Sequence, residues 1–495
     1  MQNIIKKHCK HIYLGLVLLL SLSIYLPNYG QPTSLFWDEN YHIASAQKYI
    51  DGVMYMEPHP PLGKLLMAAS ESLLGLNDHL DKKAFTRTDY INGSHVPEGF
   101  SFYGFRLPST LLMALSALFF FGIVNNITKN AHLAAAFSAI IILDNAMVVH
   151  SRAAMLEGIQ MFFILGAIYW LTRSIEVAKA IKLKDYAILG VFIGLAFSVK
   201  VNAAVLLLLF VILYGVDQWQ NIQTWNFPSL IKRLAVTVPA GVVPVILVVL
   251  AVFYVHISLG TTMGPKSYSA SEEYRQAIRE GNTGSLATFA IALRDNYTNM
   301  SKYADGVPRL DVCKTGENGS HSIGWPIGQK TINYRWNKDT VNGVTQVQYH
   351  NIVPNPVVWF SVIAGLLLSV GLIISRFVYQ NPIAHPKLFY WISAFTSLYI
   401  AYMTAILQIE RVMYLYHYLV PLVFGIINLA LVYNYIFHKA LAENNRHALI
   451  NLAAAVVLVA FAFYIFSPFT YSVPITEAEF NLRNWFDFWQ LEVVK

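Results

Sequence analysis

Trp37-Asp38-Glu39-Asn40, followed by His59-Pro60-Pro61-Leu62-Gly63-Lys64, stands just behind an apolar run over residues 12–27. That run has a basic flank (Lys6, Lys7, Lys10) and no small-residue cleavage site after it, so it reads as a retained membrane anchor. Two adjacent carboxylates then lie just past the end of a membrane helix, across the bilayer from a basic N-terminus. A histidine, a rigid Pro-Pro pair and a lysine come soon after. An acid pair plus a cation at a membrane surface suits chemistry on an anionic lipid headgroup.

The composition agrees with a membrane setting. Of 495 residues, 56% are hydrophobic and only 13% charged, with a mean hydropathy of +0.46; soluble domains lie nearer ~45–50% and ~25%. The net charge of +7 is spread over loops, with no basic run that would suit nucleic acid. Cations so placed set topology or meet lipid phosphates. Cys9 and Cys313 are the only cysteines and fall on opposite sides of the bilayer in the topology below, so no disulfide is expected.

Apolar runs near 12–28, 104–124, 133–150, 155–172, 186–200, 202–216, 234–256, 355–375, 388–408, 412–437 and 448–467 predict about eleven spans. A single helix over 186–216 would place Lys200 at mid-bilayer, which is costly. Two short spans turning at Lys200 are the better reading. With the N-terminus inside, the short cytoplasmic loops carry Lys129, Arg173, Lys179, Lys182, Lys184, Lys232, Arg233, Arg376, Lys387, Lys439 and Arg446, against few acids. This is the positive-inside bias, and an odd span number puts the C-terminus outside. The chain divides into an N-terminal transmembrane region (1–256) holding the first outer loop (29–103), a large external loop (257–354), and a C-terminal four-span region with an external tail (355–495). The large loop, rich in Gly, Asn, Tyr and Trp, is expected to be irregular and to cap the membrane surface.

Asp38, Glu39, His59, Lys64, Arg106, Arg152, Glu157, Lys200, Glu410, Arg411 and His417 all map near the outer interface. A lone Lys or Arg at a helix end commonly just snorkels. Several on one leaflet beside a carboxylate pair can instead neutralise a lipid-linked phosphate. Asp38 has two compatible roles. The stretch Glu39–Ile50, apolar at Ile43, Ala46 and Ile50 and ended by Gly52, predicts an amphipathic helix with Asp38 as N-cap. A helix N-terminus also keeps a carboxylate ionised, as a general base must be. His59 is a loop histidine, more often solvated than functional. Trp325 and Tyr334-Arg335-Trp336 could stack on a sugar or anchor the loop. No metal-ligand pattern, Walker loop or dinucleotide fingerprint is present.

In order along the chain, these segments resemble the protein O-mannosyltransferase family in its short bacterial form. Asp38-Glu39 with His59-Pro60-Pro61-Leu62-Gly63-Lys64 is similar to the family's first outer loop, and Arg106-Leu107-Pro108 to the arginine opening its second span. Asp144-Asn145, Ser151-Arg152 and Met155-Leu156-Glu157 match the third and fourth spans, with Glu157 where the family usually has Asp. Gly194-Leu195-Ala196 through Lys200 resembles the lysine turn, although Val201-Asn202 replaces the usual aromatic. Trp325-Pro326, Asn355-Pro356-Val357-Val358-Trp359 and Arg411-Val412-Met413-Tyr414-Leu415-Tyr416-His417-Tyr418-Leu419 complete the match. The large loop has no room for the sugar-binding-like domain of eukaryotic members.

The resemblance implies a glycosyltransferase-C fold, an all-α polytopic membrane protein in a bacterial inner membrane. It implies inverting transfer of a sugar, mannose first among candidates, from a polyprenyl-phosphate donor to Ser or Thr hydroxyls of exported proteins. Asp38 would be the base, with Glu39 positioning. Lys200, Arg106, Arg152, Arg411 and Lys64 would meet the donor phosphate, and His59, Glu157, Trp325, His417 and Tyr418 the substrates. No metal and no cofactor are expected, the lipid-linked sugar being a substrate. Transfer to lipid A or another envelope glycan would use the same fold. A transporter would instead need midplane charges and an internal repeat, neither of which is seen. Whether the chain acts alone or as a dimer is left open.

Overall fold

A computed structural model describes residues 2–265 and 267–494; Met1, Lys266 and Lys495 lie outside it. Each predicted span becomes helix. Among the described residues, seven helices are long and apolar enough to cross a bilayer by themselves, including Tyr103–Thr128, Leu156–Glu176, the 33-residue Phe227–Leu259 and Arg446–Tyr471. The first and sixth spans, Cys9–Tyr25 and Val201–Asp217, are shorter apolar helices. The segment Leu415–Ile436 is mostly buried within the protein, whereas Phe227–Leu259 is mostly exposed. The former is the axis of the bundle and the latter its lipid-facing wall.

Polar details shape the bundle. The two short segments do turn at Lys200: Leu183–Phe197 ends, Lys200 is extended (φ −157°, ψ 135°), and a 3₁₀ turn over Val201–Leu207 leads into Leu208–Asp217. Leu183–Phe197 lies close along Phe227–Leu259 because a Cβ at Gly190 would collide with the Gly241 carbonyl oxygen. The stretch 133–150 is not one straight helix. It breaks into Ala131–Ile142 and Asn145–Ser151 with a 61° bend. The cause is Asp144, whose Oδ1 accepts from the Met147 N–H at 3.0 Å. Its Oδ2 accepts from Trp359 Nε1 at 2.9 Å, and Asn355 Nδ2 donates to the freed Leu143 carbonyl at 2.9 Å. These bonds satisfy the Leu143 carbonyl and the Met147 N–H that the break releases, as a buried break favours.

Outside the spans, the loop over residues 29–103 carries Glu39–Ile50, bounded as the amphipathic pattern predicts, and Leu62–Leu74. The large loop is more ordered than expected. It holds helices Glu272–Arg279 and Leu286–Gly306 and a hairpin, Ile332–Val341 with Val344–Ile352, joined by the short strand Pro474–Ile475. The hairpin turns at Asn342-Gly343, both at positive φ (53° and 78°), the turn that this pair favours. This small sheet is the β exception in a mostly helical molecule.

Candidate active site

The loop over residues 29–103, the Leu156–Glu176 helix, the Lys200 turn and the segment before Leu419–Ile436 meet around a cavity of about 220 Å³. Asp38, His59, Lys64, Glu157, Lys200, Arg411 and His417 all line it, together with Tyr41, His42, Tyr303, Tyr414 and Tyr416.

Asp38 enters the cavity from a constrained backbone. Trp37 before it has φ +52°, a conformation that costs a bulky residue about 1–3 kcal/mol. Its ring is held edge-on against Tyr414 (5.1 Å) and near Tyr334 (5.3 Å). The Asp38 side chain makes no capping bond, contrary to the N-cap expectation; Asp38 sits at ψ −5°, and the cap position is satisfied through its carbonyl. The carboxylate instead accepts a 3.4 Å bond from the Tyr416 hydroxyl. Burial pushes the Asp38 carboxyl above its usual range, Lys200 draws it back down, and Glu157 pushes it up again.

The cations differ in how committed they are. Lys200 Nζ donates to Glu157 at 2.6 Å and lies 5.2 Å over the Tyr416 ring. Lys64 is tied to the fully buried Glu57, which also accepts from the Tyr55 hydroxyl at 3.0 Å. The Arg411 guanidinium has no hydrogen-bond or ion-pair partner among the described residues. Backbone bonds fix its loop: Val412 N–H donates to Pro308 at 2.9 Å, and Arg309 pairs with Arg411 in an isolated bridge. His59 is half-buried near the Tyr303 ring rather than solvated; burial, with Lys64 and Lys200, keeps it well below its usual pKa. His42, whose ring bonds the Ala154 carbonyl, is pushed down to about 3 by burial and Lys64.

Several expected site residues face elsewhere. Arg106 is wholly buried and uses all five N–H donors: two on Glu39 (2.7 and 2.8 Å) and three on the carbonyls of Gly30, Pro32 and Ser34. It pins the chain leaving the first span, so neither it nor Glu39, which also accepts from the Ala154 N–H at 2.8 Å, reaches the cavity. Arg152 likewise clamps the Tyr25 and Pro27 carbonyls and stacks on Tyr471 at 4.5 Å. Trp325 is buried behind His417, ring to ring at 6.1 Å, with Nε1 donating to Ser320. Tyr418 bonds Tyr399 at 3.0 Å inside the bundle. Tyr416 lines the cavity and His150 stands behind Glu157, neither named as a site residue from the sequence, while Tyr334, a candidate sugar platform, bonds His150 instead. His150 Nε2 is 2.8 Å from Glu157, its Nδ1 is 2.7 Å from the Tyr334 hydroxyl, and its ring stacks on Tyr416 at 4.8 Å. An ionisable residue inside an apolar run was the available signal. Among the described residues no three His, Cys, Asp or Glu side chains group as a metal would need.

Comparison with known proteins gives the family. The model described as dolichyl-phosphate-mannose-protein mannosyltransferase matches residues 15–260, and that of the C-terminal four-span region of protein O-mannosyltransferase matches 309–489. The chain belongs to the protein O-mannosyltransferase family. Dolichyl-phosphate-mannose–protein mannosyltransferase 1 of Schizosaccharomyces pombe is 27% identical over 60% of this chain and 34% of its own length. Mannosyltransferase 5 of Candida albicans is 28% identical over 50% and 34%. The chain thus spans about a third of these curated relatives. One chain of the Saccharomyces cerevisiae Pmt1-Pmt2 complex, solved with its sugar donor, superposes with a TM-score of 0.82 at 15% identity, covering 97% of this chain and 92% of that one. The fold is the family's glycosyltransferase-C architecture, and the chain is a multi-pass membrane protein.

Proposed function

We propose that this protein O-mannosyltransferase relative is an inverting enzyme that moves mannose from a polyprenyl-phosphate donor to Ser or Thr hydroxyls of exported proteins. It would work at the outer face of a bacterial inner membrane. One observation carries the reading: Asp38, a carboxylate with no ion-pair partner among the described residues, faces the same cavity as the uncommitted Arg411. Asp38 takes the acceptor proton as the hydroxyl oxygen attacks the anomeric carbon. The bond from that carbon to the phosphate oxygen breaks, and its electron pair leaves with the phosphate. Arg411, helped by Lys200 and Lys64, offsets the charge gathering there. The other lining carboxylate, Glu157, is held by Lys200 and His150, so no second nucleophile is free and one displacement inverts the centre. Mass spectrometry of exported proteins from cells with and without the gene tests this: hexose on Ser or Thr that vanishes with the gene supports it, and unchanged proteins with altered envelope lipid point to the lipid-acceptor reaction.

Three results should follow. Arg411→Ala and Lys200→Ala should each weaken donor use by about 1.5–3 kcal/mol, the value of a charge-assisted contact. Lys182→Ala, on the opposite loops, should not; equal kinetics for all three would reduce the outer cations to snorkelling. Chelation should leave turnover intact, since fixed cations do the work of a metal on the departing phosphate; loss with EDTA and rescue by Mg²⁺ or Mn²⁺ would show otherwise. Activity should also fall on the acid side at a pH above the ordinary aspartate range, because burial raises Asp38 and a base must be ionised. Lys200→Ala, removing the first charge that lowers that pKa, should move this acid limb to higher pH, read from kcat/KM against pH.

A further inference from the structure

We infer that the membrane face opposite the cavity carries a binding site for the headgroup of an anionic phospholipid, built around Arg173, Lys179 and Lys184. Glu157, at the cavity, begins the helix Leu156–Glu176, and Arg173 lies in its last turn. The two are about 24 Å apart along the helix axis, so Arg173 stands at the other membrane surface. The chain then turns through residues 177–182 and enters Leu183–Phe197, which leads back to Lys200. Around this turn lies a hollow of about 430 Å³ lined by Trp170, Arg173, Lys179, Lys182, Lys184 and Asp185.

The charges in the hollow are unbalanced. Its four cations are exposed, and none has an ion-pair partner among the described residues. Asp185 is buried and already engaged: Oδ2 accepts from the Lys182 N–H at 2.8 Å and Oδ1 from the Ser174 hydroxyl at 3.3 Å. Glu176, the next acid, is turned to Trp391, whose Nε1 donates to it at 2.8 Å. Other cations on this face are spent, Arg233 on Asp217 at 2.7 Å and Lys129 on the carbonyls of Asn126 and Glu176. Topology requires cations somewhere on these loops. It does not require four of them around one hollow from which the neighbouring acids are withdrawn.

Three features select a lipid over a soluble anion. An indole at the end of a span sits at headgroup depth, and the Arg173 guanidinium lies 4.9 Å over the Trp170 ring, level with lipid phosphates. Val177 and Leu183, beside the cations, are 57% and 43% exposed, apolar side chains that acyl chains would cover. Basic hollows between helix ends also suit phosphate headgroups, with arginine as a fork and lysines as point charges. A headgroup here would bridge Leu156–Glu176 and Leu183–Phe197, the two helices that bring Glu157 and Lys200 together at the cavity.

Native mass spectrometry and thermal unfolding of the detergent-solubilised protein test this, with phosphatidylglycerol, phosphatidylcholine or inorganic phosphate added. For the wild type we expect retained phosphatidylglycerol and a raised Tm, with neither effect from phosphatidylcholine or inorganic phosphate. A cation near an anionic surface is worth roughly five-fold in affinity, so Arg173→Gln/Lys179→Gln/Lys184→Gln should bind phosphatidylglycerol on the order of 100-fold more weakly. Lys232→Gln/Lys439→Gln/Arg446→Gln, which removes the same charge elsewhere on this face, should bind as the wild type does. Equal weakening in both triple variants, or no preference for phosphatidylglycerol, would reduce the cluster to topogenic charge and overturn the site. Stabilisation by inorganic phosphate at the same concentration would overturn the lipid assignment. If the first triple variant does not fold, Arg173→Gln alone decides, with affinity roughly five-fold lower expected and unchanged affinity against the site.

Discussion

Asp38→Asn should give a folded, donor-binding protein that transfers sugar at least ~100-fold more slowly, the lower end of what a positioned general base contributes. The substitution keeps size and shape, and the Asn carbonyl can still accept from Tyr416. No cap is lost, because the Asp38 side chain caps nothing. What the amide cannot do is take a proton. The variant should also melt no lower than wild type. The folded pKa of Asp38 is raised above its unfolded value, so ionising it costs the folded state stability as pH rises through that range. Asn removes this cost. A site that holds a base at the expense of stability is a familiar compromise. Near-normal single turnover by Asp38→Asn would leave the proposed mechanism without its base.

Arg106→Ala should act in the opposite way, on folding rather than on rate. Removing one partner of a buried ion pair typically costs about 3–5 kcal/mol, because the other charge is left in a dry site. Here Glu39 would be stranded, and the carbonyls of Gly30, Pro32 and Ser34 would lose their donors. We expect a large drop in melting temperature or loss of expression. Arg106→Lys should rescue it only in part, since an ammonium cannot serve five acceptors spread across one plane. Glu39→Gln should follow Arg106→Ala in kind, with stability falling before catalysis. A stable Arg106→Ala protein with impaired donor binding would return Arg106 to the phosphate site.

These two residues also show where sequence reading succeeds and where it stops. The Glu39–Ile50 helix was legible because its apolar spacing and Gly52 are local signals. The Lys200 turn was legible because a lysine in a long apolar run is expensive anywhere but at an interface. The convergence of Asp38, Lys64, Glu157, Lys200 and Arg411 on one cavity followed from their shared position at span ends on the same interface. Side-chain destinations were not legible. Arg106, Arg152 and Arg411 look alike in sequence, yet two are consumed by backbone carbonyls far along the chain and one is not. The bend at Asp144 depends on Asn355 and Trp359, more than two hundred residues away. The Asn342-Gly343 hairpin was missed, the loop being expected to be irregular, although its turn pair and the strand after it were an available signal.

The central claim is a single displacement from lipid phosphate to protein hydroxyl. It is tested most directly in proteoliposomes holding the purified chain, labelled polyprenyl-phosphate mannose, a Ser/Thr-rich peptide and, separately, lipid A. The proposed mechanism predicts mannose on a peptide hydroxyl, with anomeric configuration opposite to the donor's and one polyprenyl phosphate released per sugar. Label found only on lipid A, or a peptide product of retained configuration, would contradict it.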